Sequence, residues 1–338
     1  MTRYVAQRLA LMAGILLGVL VVTFVLSRVL PGSPVAMMLG HRPTPEQIAQ
    51  ARADLGLDRP IHEQFAFYVG DVLQGDFGVS LRTGQPVLTD VVERMTATFE
   101  LTTLAVLLVV VVGIPLGVLS AVRQNSVLDH AARGFSVAGM ALPLFLIAML
   151  LQMAFYGELR WFPLQGRMNS EVLLDYPFDR VTGLYLVDTA LAGQWVAFRS
   201  AVHHLVLPVT ALAIASLAVV TRITRNTMIE ALAQDFIRTA TAYGLPRGAI
   251  YFRYALKATL IPMLTVIGLT YGFMLGGSIV IEYVFDWPGL GGYVVGAILK
   301  NDFPAVMGVT LFLATMYLTI NLIIDLLYFV VDPRLRAS

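Results

Sequence analysis

Six apolar stretches constrain this chain more than anything else in it. They lie near residues 9–30, 99–121, 134–156, 204–221, 259–282 and 305–331. Each is close to the ~20 predominantly apolar residues that cross a bilayer. Inside hydrocarbon a lone segment must satisfy its own N–H and C=O groups, so each is expected to be a helix. Charge content agrees: 13% of residues are Asp, Glu, Lys or Arg, where soluble domains carry about 25%. The expected fold is an all-α polytopic membrane protein with six transmembrane helices. Arg3 and Arg8 precede the first run, Leu9–Leu26, which is long for a signal-peptide core. SRVLPGSP follows it, without a small-residue cleavage pattern. It reads as a retained first span.

Short loops set the orientation. The 122–133 loop holds Arg123 and Arg133 against Asp129. The 222–258 loop holds Arg222, Arg225, Arg238, Arg247, Arg253 and Lys257 against Glu230 and Asp235. The tail carries Arg334 and Arg336 against Asp332. With Arg3 and Arg8 these fall on one side, so both termini are expected in the cytoplasm. The organisation read from this is a first span (1–30), an external lobe (31–98), a five-helix core (99–331) and a cytoplasmic tail (332–338). Within the core lie an external loop (157–203) and a cytoplasmic loop (222–258).

The 31–98 stretch is too long for a connector. Thr44, Pro45 and Gln47 form the start signal of a short helix, with Thr44 as N-cap and Gln47 three residues on. IHEQFAFYVGDVLQGD is amphipathic, and GDFGVSLRTGQPV is rich in turn formers. Either a folded cap or a docking surface for an external partner fits. Pro115, Pro143, Pro208 and Pro262 lie in or near spans. Each is a candidate kink along a pathway, although proline is common in membrane helices generally.

Much chemistry is absent. Cysteine is missing, which excludes disulfides and thiolate metal sites. The two lysines, Lys257 and Lys300, follow leucines, so no phosphate-cradling G-x-x-x-x-G-K-[ST] loop exists. Neither H-E-x-x-H nor G-x-S-x-G occurs. The net charge of +1 offers no nucleic-acid surface. No metal site is expected, since the adjacent His203 and His204 would point about 100° apart on a helix. Asp325, inside the last span, is a candidate proton relay or a carboxylate satisfied near the membrane edge. Glu282, at the end of its span, suggests no role.

The 222–262 region is the most informative. TRNTMIEALAQDFIRTATAYG has helical propensity throughout, Gly244 falls where a left-handed C-terminal residue belongs, and Leu245-Pro246 starts a new direction. A charged helix–turn–helix projecting from an apolar bundle looks like a lever gripped by another protein.

At this point the chain resembles ABC-importer membrane subunits, specifically the dipeptide/oligopeptide permease family (DppB/OppB type). The loop match, the EAA loop, rests on Asp235, Arg238, Thr239, Ala240, Gly244, Leu245, Ala255, Leu256, Leu260 and Pro262. Other matching stretches run end to end: LPGSPV, LGLDRPIHEQF, GDFGVSL, VGIPLGVLSA, WFPLQGR, IEYVFDWPGLGGY and DLLYFVVDPRLR. The family commonly has A-R-A-K-G where this chain has Thr241-Ala242-Tyr243-Gly244, and H-A-L-R-N where it has Tyr254-Ala255-Leu256-Lys257-Ala258. Polar contacts made by the loop therefore differ from the family's.

The resemblance implies a type I ABC-importer-like core in a bacterial cytoplasmic (inner) membrane. It also implies a second homologous permease subunit, two cytoplasmic ATP-binding subunits and an external solute-binding protein. ATP and Mg would be bound by the ATPase partners, with no cofactor on this chain. Coupling would run through Glu230, Asp235, Arg238, Thr239, Ala240, Gly244, Leu245, Pro246 and Pro262, with a coupling helix near Ala240–Pro246. Relatives carry nickel, glutathione, antimicrobial peptides or sugars as well as peptides, so a dipeptide or oligopeptide is an expectation only. A stand-alone secondary transporter explains six spans and Asp325, but not the helical hairpin. An intramembrane enzyme lacks its motifs.

Overall fold

A computed structural model describes residues 2–29, 44–54 and 58–331. The LPGSPV stretch and the 332–338 tail lie outside these residues, as do three residues of LGLDRP. In chain order the helices are α1 (Thr2–Val29), α2 (Pro45–Asp54), α3 (Ile61–Leu73), α4 (Val87–Val122), α5 (Val127–Ala141) and α6 (Leu144–Glu158). They continue with α7 (Ser170–Asp175), α8 (Tyr185–Leu191), α9 (Trp195–Leu232), α10 (Asp235–Ala242), α11 (Leu260–Val284), α12 (Leu290–Leu299) and α13 (Phe303–Val331). Among the described residues the only extended pairing is an isolated bridge between Val79 and Pro86.

The spans differ instructively from the sequence expectation. α1, α4, α9, α11 and α13 are each long and apolar enough to cross a membrane. α4 begins at Val87, inside the stretch expected to be lobe, and α9 runs to Leu232, well into the expected 222–258 loop. Polar residues in those extensions are compatible with helix, so hydropathy alone truncates them. The segment near 134–156 is not one straight span: α5 and α6 meet at a 111° bend. The sixth crossing exists only if this bent pair is counted as one. Proline explains the break. Leu142 is driven to extended backbone (ψ 133°) by the following Pro143, which starts the next helix.

Residues fall into two compact units. The first contains residues 1–95 and 289–318. Its second helix, α2, starts with the expected reciprocal cap: Thr44 N donates to Gln47 Oε1 at 2.9 Å, and Gln47 N to Thr44 Oγ1 at 3.3 Å. Phe24 of α1 packs on Phe65 and Tyr68 of α3, with ring centroids 5.3 and 5.8 Å apart. The GDFGVSLRTGQP stretch folds into a tight loop with left-handed Gly78 and Gly84. Fully buried Asp302 anchors it, accepting from Ser80 Oγ at 2.6 Å and Arg82 N at 3.1 Å, and also caps α13 through Ala305 N. Asp90 accepts from Thr83 Oγ1 at 2.5 Å and from the Tyr293 hydroxyl at 3.0 Å. Burial, reinforced by Asp90, pushes the Tyr293 phenol up to about 12.

The second unit, residues 96–288 and 319–338, is organised around α9, which packs against α4, α5, α6, α8 and α11. Small residues make this possible. Gly113 and Gly117 lie one turn apart on α4, in VGIPLG. A Cβ on Gly117 would sit 2.6 Å from Thr224 Cβ and 2.7 Å from the Thr221 carbonyl oxygen of α9. Close helix approach through small residues replaces the hydrophobic drive that lipid cannot supply. The expected external loop has more order than its sequence suggests. Arg167 is buried and donates to buried Glu100, with Nε at 3.1 Å and Nη2 at 2.5 Å, while lying 3.9 Å over the Tyr185 ring. Asp188 accepts from Thr182 N and Gly183 N, both at 2.8 Å. Glu282, given no role from sequence, is buried and accepts from Thr98 Oγ1 at 2.7 Å.

Candidate functional site

α9 ends at Leu232, and Ala233-Gln234 redirects the chain into the eight-residue helix α10. Asp235 supplies a carboxylate in its first turn, where the helix N-terminus favours negative charge. Apolar residues recur three apart: Ile237 and Ala240 are buried. They join Val118, Ala121, Met228, Ala231, Ile250 and Ala255 in one cluster. Burying Ile237 contributes on the order of 2 kcal/mol, which pins a helix too short to be stable alone. The opposite face carries Asp235, Phe236, Arg238, Thr239 and Tyr243, all exposed. Asp235 and Arg238 pair at 3.2 Å with both side chains largely in solvent.

α10 terminates in a Schellman turn. Leu245 N donates to Ala240 O at 3.2 Å and Gly244 N to Thr241 O at 3.0 Å, while Gly244 takes φ +69°. Leu245 packs back on the same cluster as Ala240. Pro246 is exposed and opens the next helical segment, accepting from Ile250 N at 3.2 Å. A π-helical stretch, Ala249–Ala255, then leads toward α11.

The structure thus brings Asp235, Arg238, Thr239, Ala240, Gly244, Leu245 and Pro246 into one small element. The short helix lies at Asp235–Ala242, not near Ala240–Pro246, because Gly244 ends it rather than sitting within it. Ala240 belongs to the buried face. Glu230 is exposed on the last turn of α9, and exposed Pro262 is the third residue of α11, where a missing N–H costs no helical bond.

The other prolines separate as well. Only Pro143 coincides with a break. Pro115 is exposed within continuous α4, just after a π-helical stretch, Val109–Gly113, which absorbs its missing N–H. Pro208 is buried inside unbroken α9. Asp325 is half-buried on α13, one turn from Tyr328, whose hydroxyl donates to Thr265 Oγ1 at 2.9 Å. His203 and His204 bond to the carbonyls of Trp161 and Ser200, and among the described residues no group of metal-ligating side chains forms.

Sequence reasoning missed the element that braces this end of the bundle. Asp129 is fully buried. It accepts from Arg225 Nε at 2.6 Å and Nη2 at 2.9 Å, from Ser120 Oγ at 2.6 Å and from Asn125 N at 3.0 Å. One carboxylate therefore ties α4, the following turn, α5 and α9 together. A signal was present: Ser126 caps α5, accepting from Asp129 N at 3.3 Å, so Asp129 lies on the first turn and faces inward.

The sequence that builds this bundle matches known families over nearly its full length. Residues 113–337 match the model of the binding-protein-dependent transport system inner membrane component, and residues 1–102 match that family's N-terminal membrane component. The chain is 41% identical over 337 residues to the dipeptide transport system permease protein DppB of Escherichia coli K12, covering 99% of each. It is 44% identical over 318 residues to the probable D,D-dipeptide transport system permease protein DdpB of the same organism, covering 94% of this chain and 93% of that one. It is 38% identical over 336 residues to DppB of Alkalihalophilus pseudofirmus, covering 99% and 100%. Matches of this length and identity make the chain a member of the binding-protein-dependent transport system inner membrane component family, the permease subunits of ABC transporters.

Proposed function

We propose that this chain forms half of the translocation pathway of an ATP-driven importer for dipeptides or oligopeptides, and that α10 is its coupling element. The observation that carries the coupling reading is the two-faced geometry of α10. One face is welded to α4, α9 and the segment before α11 by Ile237, Ala240 and Leu245, while the other presents Phe236, Arg238 and Tyr243 outward. An element rigidly linked to the bundle, yet open on its far face, transmits displacement from a bound partner. ATP and Mg belong on that partner. The positive-inside bias supports a cytoplasmic side for α10 and both termini, and the similarity to inner membrane components supports a bacterial inner membrane. A second permease subunit and an external solute-binding protein complete the complex, with residues 31–98 contributing to docking. Peptide as substrate is supported by the relatives' names and by end-to-end similarity to them.

The chain has no cysteine, so a single cysteine is a clean probe. With Arg238→Cys or Tyr243→Cys, a thiol cross-linker should capture a nucleotide-binding protein from native membranes, with a yield that changes on adding a non-hydrolysable ATP analogue. An equal yield from Val187→Cys, at the far end of the bundle, would sink the assignment.

A further inference from the structure

α5 and α9 enclose a cavity of about 490 Å³ at the arginine-rich end of the second unit. Its wall on α5 is a single helical face. Arg133 is followed at four, seven and eight residues by Val137, Met140 and Ala141, the spacing of one stripe. The stripe starts with a cation and runs about 12 Å into apolar surface, at 1.5 Å per residue. α9 contributes Arg222, Arg225 and Asn226 beside the cationic end.

The charges at that end do not balance. Asp129 is the carboxylate that reaches it, and Arg225 engages both of its oxygens. Arg133 lies 3.7 Å from Asp129 Oδ2, donates to His130 Nδ1 at 2.7 Å and leaves nearly half of its side chain exposed. Arg222 is exposed and makes no hydrogen bond or ion pair among the described residues. Three guanidinium groups from two helices, Arg133, Arg222 and Arg225, therefore meet at one cavity with the single carboxylate of Asp129 to share. Below them Val137 and Met140 present exposed apolar surface.

A ligand matched to this cavity carries a compact negative charge at one end and a hydrocarbon chain at the other. We infer that the groove between α5 and α9 binds an anionic phospholipid of the surrounding bilayer. Its phosphate lies between Arg133 and Arg222, Asn226 supplies an amide to the headgroup, and an acyl chain lies along Val137, Met140 and Ala141. Guanidinium forks match phosphate oxygens bidentately, and basic pockets between membrane helices on the cytoplasmic side are suited to such headgroups. Charge complementarity selects the headgroup and the stripe selects an amphiphile over a free anion. The assignment rests on the cytoplasmic placement of this end proposed above. Because Arg225 and Asp129 form the adjoining brace, an occupied groove would also stiffen the region where α9 hands over to α10.

Native mass spectrometry of the full-length chain in neutral detergent tests this, using phosphatidylglycerol and phosphatidylcholine of identical acyl chains. One phosphatidylglycerol should remain bound where phosphatidylcholine does not. Binding should weaken at least about tenfold in Arg133→Gln/Arg222→Gln and comparably in Val137→Trp, which keeps both charges but fills the apolar slot. All three positions are exposed, so size-exclusion profiles should match the parent. Unchanged retention in either variant overturns the inference, as does equal retention of the two lipids. Release of the bound phosphatidylglycerol by inorganic phosphate or by glycylglycine, alike in the parent and in Arg160→Gln, which leaves the groove residues untouched, would assign the groove to a free anion or to substrate instead, and also overturns it.

Discussion

Asp129–Arg225 and Asp235–Arg238 are the same ion pair chemically, lie in one unit and stand within reach of the same apolar cluster. Their surroundings differ completely. In the first pair the carboxylate is fully buried and the arginine 17% exposed; in the second the side chains are 93% and 78% exposed. The buried carboxylate accepts from Ser120, Asn125 and Arg225 and so joins three helices. The exposed pair spans three residues of one short helix and joins nothing. A charge inside a membrane bundle is retained because its partner is there already. A charge on the open face of α10 is available to a partner not in this chain.

The largest effect should come from breaking the buried pair. Asp129→Ala leaves Arg225, 17% exposed and bordering the groove, without its carboxylate, and losing one member of a fully buried pair costs about 3–5 kcal/mol, which sets the upper bound here. The thermal midpoint of the purified protein should fall sharply, with reduced accumulation in membranes. Asp129→Leu/Arg225→Met should recover most of that loss, since apolar replacement of a whole buried pair is often neutral. A double variant as unstable as the single one would show that the pair is more than a brace.

What was legible in the sequence divides along the same line. The exposed helix that carries Asp235 and Arg238 was legible because a charged, helix-competent stretch inside an apolar chain breaks the local rule, and its turn because a left-handed glycine, Gly244, leaves a positional mark. The capped start of α2 was legible for the same local reason. Asp129 was not, since its meaning depends on Arg225, 96 residues away. Glu100 with Arg167, and Asp302 with Ser80, were hidden likewise. Five of the six apolar runs coincide with helices long and apolar enough to cross, but the 111° bend at Pro143 in the remaining one could not be told from the tolerated Pro208 by composition. A proline breaks a helix only when no neighbouring geometry takes up the lost bond, and that is decided by packing.

Gly244 sharpens the comparison at intermediate cost. At φ +69° it is strained for any β-branched residue, and a Cβ there would meet nothing within 4 Å. Gly244→Val therefore acts through backbone conformation alone, with a local cost of about 1–3 kcal/mol. Uptake of a radiolabelled dipeptide should drop far more than expression does, with the thermal midpoint falling by only a few degrees. Gly244→Asn, which tolerates the left-handed region, should keep uptake. Loss of uptake with both would mean that the glycine is needed for a close approach by a partner rather than for its turn.

The smallest effect on stability should accompany the exposed pair. Surface ion pairs contribute about 0–1 kcal/mol, and substitutions away from buried features usually stay within about 0.5 kcal/mol. Asp235→Asn/Arg238→Gln should therefore leave the thermal midpoint unmoved, in contrast to Asp129→Ala. Uptake should nonetheless fall under the proposed coupling role of α10. ATPase activity measured in the reconstituted complex separates two causes. Hydrolysis that continues while uptake falls places the defect in transmission through α10. Hydrolysis and uptake that both stay at parental values would leave the outer charges without a role in coupling. The outer face would then be gripped through Phe236 and Tyr243 alone.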